Sequence, residues 1–280
     1  MGNEITPVGA LSKRERLLAR IRAFDGLACP ICGMALDPDG FSVVCEKQHR
    51  YDLNRHGYLH LTDSKSPSAY SAALFEARRR IFEQGFFDEA IKAVKAETFG
   101  MSTVLDAGCG EGYYLSALNP PCGVGIDLSR DAIALAARSS NHLWCVADVA
   151  RLPFRAGVFD AVLDVLTPAN YDAFLRVLKP QGKLLKIFPG ENHLMQLRAR
   201  MRLAPYAEGR VEAALRKNAQ VEKLIPIKKT FPLTPAQYRD IIAMTPLTEA
   251  MTQAEQDALA ETAGETEITI DLKLAVARFQ

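Results

Sequence analysis

Four residues near the N-terminus have the types and spacing to hold a metal ion: the turn Cys29-Pro-Ile-Cys32, then Cys45 and His49. A C-x-x-C turn aims two thiolates at one point. A second pair from a returning strand completes a tetrahedron of three sulfurs and one imidazole nitrogen, a donor set that suits zinc. Gly33 fits the tight knuckle after the first pair, and Gly40 the turn of a hairpin. A redox C-x-x-C is expected at a strand-to-helix junction, and no strand pattern precedes Cys29. Four protein ligands close the site, so the zinc is structural, and a segment with so little apolar core needs that staple to fold. His56 and His60 exceed the ligand count and are read as surface or packing residues.

The second constellation is Val104-Leu-Asp106-Ala-Gly108-Cys-Gly110-Glu111-Gly112-Tyr113, at the junction of a strand pattern with a helical one. Glycines there let the backbone approach a ligand closely, because no Cβ intervenes. The dinucleotide pattern G-x-G-x-x-G fails, because the third glycine comes one residue early and Tyr113 fills its slot. With Asp106 placed before the first glycine, the turn resembles the first motif of class I S-adenosylmethionine (SAM) methyltransferases, which holds the amino-acid end of the cofactor. Asp127 ends the next strand, where an acid can accept from both ribose hydroxyls, and Leu128 follows it. Asp148, followed by Val149, ends the third strand, on the adenine side. Each acid alone would be an ordinary cap or solvated side chain, but three at successive strand ends form a ligand rim.

The elements that must position these residues alternate. Strand patterns cover Thr103–Ala107, Cys122–Ile126, Leu143–Ala147, Phe159–Leu166 and Lys183–Phe188. Helical patterns cover Glu111–Leu118, Asp131–Arg138 and Tyr171–Leu178. This rhythm predicts a doubly wound, mostly parallel α/β sheet of Rossmann-like type. Before it, Tyr70–Phe99 has apolar residues at helical spacing, broken at Gly85 into two helices. After it come a helical region at Leu194–Asn218, a strand near Leu224–Lys228, helices near Ala236–Met244 and Thr252–Thr262, and a terminal strand, Glu267–Phe279. That ending predicts an antiparallel strand pair closing the sheet. The units are then a basic N-terminal extension at 1–25, with an amphipathic helix across Leu11–Phe24, a zinc-binding module at 26–62, a linker and helices at 63–100, and a methyltransferase domain at 101–280.

Bulk properties fit this division. At 280 residues the chain accommodates one large and one small domain, at roughly 100–200 residues per domain. Hydrophobic residues at 48% and charged residues at 24% are those of a globular protein, and a net charge of +1 announces no global field for nucleic acid. Basic residues nevertheless cluster at Lys13–Arg22 and Arg198–Lys229, as solvated faces or as phosphate-binding surface. No apolar run approaches the roughly 20 residues that span a bilayer, and no secretory signal pattern is present, so a cytoplasmic protein is expected. Its six cysteines are then metal ligands or buried thiols rather than disulfides.

Taken together, residues 26–280 resemble the bacterial 23S rRNA guanine-N1 methyltransferases of the RlmA and tylosin-resistance type. The resemblance rests on Cys29/Cys32/Cys45/His49, Arg50-Tyr-Asp52, Gly57-Tyr58, Ala77-Arg78-Arg79, the Asp106–Tyr114 turn, Arg151-Leu-Pro-Phe154 and His193-Leu-Met195. It implies a class I SAM-methyltransferase fold behind a zinc module that helps grip a 23S rRNA hairpin, methyl transfer to guanine N1, and a possible homodimer. It also implies cofactor contacts from Gly110–Tyr113, from His193 and from the aromatic after Gly85. Some relatives have Gly-His-Tyr where this chain has Gly85-Phe-Phe87, so Phe87 can pack on the cofactor but offers no hydroxyl.

Guanine N1 carries a proton and is a poor nucleophile until it leaves, so a base or a donor to O6 is required. Its position on the Watson–Crick edge requires an unpaired or flipped base. Asp164, near the end of the fourth strand, is the candidate proton acceptor, with a purely structural side chain as the rival reading. Asn170, in the loop Thr167-Pro-Ala-Asn170, is a candidate for the guanine edge. Arg78, Arg79, Arg80, Arg198, Arg200 and Arg202 are candidate RNA contacts, with Arg198 and Arg202 placed on one helix face. A quinone-type small-molecule methyltransferase and a non-catalytic SAM- and RNA-binding protein remain as alternatives.

Overall fold

The computed structural model describes residues 11–64, 71–138, 142–207, 209–261 and 266–279. The expectations that fall on residues 1–10, on most of the 63–68 linker and on Tyr70 lie outside them. In chain order the elements begin with α1 (Lys13–Ala23), β1 (Asp37–Asp39), β2 (Ser42–Val44), β3 (Arg50–Asp52), β4 (Leu59–His60), α2 (Ala72–Glu83) and α3 (Asp88–Glu97). The alternating part follows: β5 (Thr103–Ala107), α4 (Tyr113–Leu118), β6 (Cys122–Asp127), α5 (Arg130–Ala136), β7 (Leu143–Val146), β8 (Phe159–Val165), α6 (Tyr171–Val177) and β9 (Leu178–Pro189). The chain closes with α7 (Met195–Arg200), α8 (Arg210–Asn218), β10 (Gln220–Leu233), α9 (Pro235–Met244), α10 (Gln253–Glu261) and β11 (Thr266–Arg278).

Strands β4 to β11 form one sheet in the order β10-β11-β9-β8-β5-β6-β7-β4, and β1 to β3 form a small antiparallel sheet. Every pairing among β4 to β9 is parallel, whereas β11 runs antiparallel to both β9 and β10. The central strands are buried nearly without interruption, as a parallel sheet covered on both faces requires. Alternate residues feed two cores. Val104, Leu163, Leu185 and Ile187 meet Ile81, Phe82, Val94, Leu115 and Ile241 on one face. Leu105, Val124, Val162 and Leu184 meet Leu17, Ile21, Phe174 and Leu215 on the other. From β5 the strand order runs outward in both directions, so the switch point, where ligands bind in such sheets, lies at the carboxyl ends of β5 and β8.

The closing antiparallel pair matches the sequence expectation, although β10 is a long edge strand rather than a short piece near Leu224–Lys228. That edge carries Pro226, Pro232, Lys223, Lys228 and Lys229, residues that discourage pairing with a further strand. Three features go beyond the reading of the sequence, and the last corrects it. The basic N-terminal helix is docked, with Leu17 and Ile21 buried in the second core and its start closed by a Ser12–Glu15 capping box. The zinc module is not a separate bead, because β4 joins the main sheet beside β7. The region Leu194–Asn218 is two helices, not one, so Arg202 falls beyond the end of α7 and shares no helix face with Arg198. No helix among the described residues is long and apolar enough to cross a membrane.

The sole tryptophan sets a packing constraint. Trp144 on β7 is fully buried, and a Cβ at Gly125 or Gly112 would come 2.1 or 2.3 Å from its ring. Two glycines thus form the slot for one indole. Gly125→Ala is expected to cost about 1–3 kcal/mol through overpacking, read as a lower urea midpoint followed by Trp144 fluorescence.

Candidate functional site

In the zinc module, two tight turns present the four ligands. The Gly33 amide donates to the Cys29 carbonyl at 2.8 Å, and the Gln48 amide to the Cys45 carbonyl at 2.8 Å. Gly33 and Gln48 both take positive φ, 73° and 62°. The donor atoms of Cys29, Cys32, Cys45 and His49 all lie within 4.8 Å of one another. Cys29 Sγ and Cys45 Sγ each stand 3.4 Å from His49 Nδ1, and Cys32 Sγ stands 3.6 Å from Cys45 Sγ. Metal bonds of about 2.3 Å to sulfur and about 2.0 Å to nitrogen imply tetrahedral edges of about 3.5–3.8 Å. The cluster therefore fits zinc through Nδ1. Tyr51, whose hydroxyl lies 3.5 Å from Cys29 Sγ, was not anticipated as a neighbour of the cluster. His56 and His60 are exposed, as expected.

At the switch point, Gly108, Gly110 and Gly112 all adopt left-handed φ. A Cβ at Gly108 would press on the Thr167 side chain at 2.9 Å, and one at Gly110 would meet Phe75 and Arg78 at 3.5 and 3.6 Å. The turn thus lies between the loop after β8 and helix α2. Asp127 faces it, with one carboxylate oxygen accepting from the Gly110 amide at 2.9 Å and the other from Ser129 at 2.8 Å.

Three buried polar atoms beside the turn, Asp106 Oδ1, Glu111 Oε1 and the Tyr114 hydroxyl, have no hydrogen-bond partner. Burial, reinforced by Asp127 and Glu111, pushes the Asp106 carboxyl up to about 8. Burial pushes Glu111 up to about 7, with Arg78 pulling it back. A cluster of acids held this way is completed by a positive ligand. SAM, with its ammonium and sulfonium groups, fits that requirement.

Beside the turn lies a cleft of about 470 Å³ lined by Leu128, Val149, Ala150 and Thr167–Asp172. Asp148 stands at its edge, one oxygen capping the turn at Ala150 (2.8 Å) and the other accepting from Ser64 (3.0 Å). Leu166, at the mouth of the loop after β8, is 45% exposed with a φ of 55°, an uncommon conformation for leucine that is concentrated near working sites.

A family model described as "Methyltransferase domain" matches residues 104–182, and a zinc-ribbon model described as "RlmA, N-terminal" matches residues 27–64. The 23S rRNA (guanine(748)-N(1))-methyltransferase of Streptomyces fradiae is 27% identical over 269 residues, 90% of this chain and 96% of that one. YxjB of Bacillus subtilis (strain 168), named provisionally as a 23S rRNA (guanine-N(1)-)-methyltransferase, is 42% identical over 195 residues, 62% of this chain and 68% of its own length. This chain belongs to the 23S rRNA (guanine-N1)-methyltransferases. As a member it is a SAM-dependent methyltransferase carrying a zinc ribbon.

Against that family frame, the remaining expected residues separate. Phe87 is buried and meets Phe82 edge-on at 4.7 Å, and Phe82 stacks on Tyr113 at 4.7 Å, so Phe87 reaches the glycine turn through another ring. His193 is 5% exposed. Its Nδ1 accepts the Asp271 amide at 3.3 Å, which leaves the ring proton on Nε2. Burial lowers its pKa to about 4, so the ring is a neutral donor. Asn170 caps α6 through its oxygen and points its amide nitrogen at the Ala150 carbonyl, 3.5 Å away.

Asp164 sits in an ion pair that the sequence reading did not include. It has no exposed surface and pairs with Lys186 Nζ at 2.7 Å, and Lys186 also donates to the Thr167 carbonyl at 3.0 Å. This pairing fits a structural side chain, while burial raises the carboxyl to about 6 and leaves Oδ1 without a partner. Lys186 was missed, although a lone lysine in the run Leu184-Leu-Lys-Ile-Phe188 and a lone aspartate in Val162-Leu-Asp-Val165 are a legible signal for a cross-strand pair.

The arginines singled out for RNA are also engaged. Arg80 forks onto Asp240 (2.6 Å), Arg79 pairs with Glu83 (2.9 Å), and Arg78 donates to Met244 (3.2 Å). Arg198 lies over Tyr206 at 4.1 Å, and Arg200 over Tyr238 at 5.2 Å.

Removing one member of a buried ion pair strands the other. Asp164→Asn and Lys186→Met are each expected to lose about 3–5 kcal/mol in urea unfolding. The double variant Asp164→Leu/Lys186→Met should recover most of that loss. Additive losses in the double variant would rule out a structural pair.

Proposed function

We propose that this chain transfers the methyl group of SAM to N1 of a guanine in a 23S rRNA hairpin, with the zinc module contributing to the grip on that RNA. The observation that carries the reading is the combination of a Cys₃His cluster of zinc dimensions with a glycine turn whose buried acids present unpartnered oxygens. Both relatives quoted above are named for an rRNA guanine, which favours this acceptor over a quinone-type small molecule. The hairpin form of the acceptor, a homodimeric arrangement and a cytoplasmic location belong to the proposal through the family resemblance. So do the units 1–25, 26–62, 63–100 and 101–280, taken as functional rather than packing divisions.

SAM supplies an electrophilic methyl group, so the protein's task is to align the acceptor and exclude water. Asp106, Glu111 and Tyr114 would hold the positive amino-acid end, with the backbone of Gly108, Gly110, Gly112 and Tyr113 beside it. Asp127 would accept from the ribose hydroxyls. Asp148, with Leu128 and Val149, borders the adenine. His193 offers a fixed Nε2–H to the bound molecules, and Phe87 backs the ring stack behind Tyr113. Thr167–Asn170 shapes the guanine subsite, and Lys186, paired with Asp164, holds that loop at the Thr167 carbonyl.

Two measurements test this reading. Purified protein, labelled SAM and undermethylated 23S rRNA are expected to give 1-methylguanine at one nucleotide by mass spectrometry; label appearing only in small acceptors would refute it. The raised acids must ionise to hold a cation, so SAM affinity should rise as pH goes from about 6 to about 8. Calorimetry in two buffers should detect the protons released, and a flat profile would remove Asp106 and Glu111 from the cofactor site.

A further inference from the structure

The link between β7 and β8 carries Asp148, Val149 and Ala150, and the zinc module grips it on both sides. Along β7, β4 pairs Leu59 with Cys145 and His60 with Val146, and the Leu61 amide then donates to the Val146 carbonyl at 2.8 Å. At the other end, Leu27 bridges to Phe154. The Ala28 amide donates to the Pro153 carbonyl at 2.9 Å, and the Arg155 amide to the Gly26 carbonyl at 2.8 Å. Cys29 and Cys45, each 2% exposed, share one apolar cluster with Leu143, Cys145 and Phe154. Where the chain leaves the module, the Ser64 hydroxyl donates to Asp148 Oδ2 at 3.0 Å.

We infer that the zinc module braces the adenine-side link between β7 and β8, and that Ser64 is a positioning residue that orients Asp148 for SAM. The inference rests on the reading of Asp148 as an adenine-side residue. A carboxylate given one donor, from the Ala150 amide, can still swing about its side-chain bonds. A second donor on the other oxygen fixes its plane. Ser64 supplies that donor from outside the methyltransferase fold, on a segment whose path is set by β4 and, through the shared core, by the metal knuckles. Zinc occupancy and cofactor affinity are therefore coupled with no RNA present.

The test is calorimetric titration of the full-length, zinc-loaded protein with SAM and, separately, with S-adenosylhomocysteine, in the absence of RNA. Ser64→Ala is expected to weaken both by on the order of five- to tenfold. Ser64→Thr, which keeps the hydroxyl, should restore wild-type affinity. Zinc content, melting temperature and rRNA-hairpin affinity should stay at wild-type values in both variants. Chelator-stripped wild-type protein should lose at least as much SAM affinity as Ser64→Ala. Wild-type affinity in Ser64→Ala, or equal weakening in Ser64→Thr, overturns the role of the hydroxyl. A stripped protein that keeps its SAM affinity but loses the hairpin overturns the coupling. If stripping unfolds the chain, the Ser64 pair of variants still decides. Failure to methylate 23S rRNA with SAM affinities as expected would sink the acceptor assignment alone.

Discussion

Placing Asp106, Glu111 and Asp127 together at the carboxyl ends of β5 and β6 is costly, because each charge loses its water and repels the others. The rest of the site follows from how that cost is met. Asp127 is satisfied by the Gly110 and Ser129 amides, which forces the turn into a conformation glycine adopts readily. Asp106 and Glu111 are left with unpartnered oxygens and raised pKa values, so added positive charge beside the turn is favourable. Arg78 supplies part of it, although its side chain is also tied to the Met244 carbonyl.

The zinc module answers a different shortage. Its strands are three residues long or shorter, too short to hold a core alone. Zinc supplies the missing cross-links, and the sheet supplies the missing core through Leu36, Val43, Cys29 and Cys45. In return, β4 covers the edge of β7 that would otherwise stand open. On the outside of the module Ile31 and Phe41 stay exposed, with the Arg14 guanidinium 5.7 Å above the Phe41 ring.

Much of this was legible in the sequence because its signals are local. A C-x-x-C turn, glycines after a strand and acids at successive strand ends act within a few residues, and strand boundaries fell within a residue or two of expectation for β5 to β8. What escaped depends on contacts between distant segments. β4 is a two-residue strand with no periodicity to detect, and it exists only because β7 offers an unpaired edge. Arg80 looks like surface charge until α9 brings Asp240 against it, a partner 160 positions away. Asp164 was placed correctly at the site, but its orientation depended on Lys186 in the adjacent strand. Strand alternation gives the face a residue occupies, and pairing register gives the neighbour it meets. Only the first can be read from one strand alone.

The pairing of Asp164 with Lys186 bears on the loop that follows β8. Burial raises the Asp164 carboxyl to about 6 while Lys186 pulls it back, and Lys186 in turn donates to the Thr167 carbonyl of the loop after β8. Two non-glycine residues that follow strands β8 and β9, Leu166 and Leu194, take left-handed conformations. Leu166 follows the strand that carries Asp164, and Leu194 follows His193. Such conformations persist only where their surroundings over-determine them. Around Leu166 the determinants are its amide bond to Ile187 (2.9 Å) and the Lys186 contact with Thr167. The ion pair therefore serves to hold a strained loop against the glycine turn.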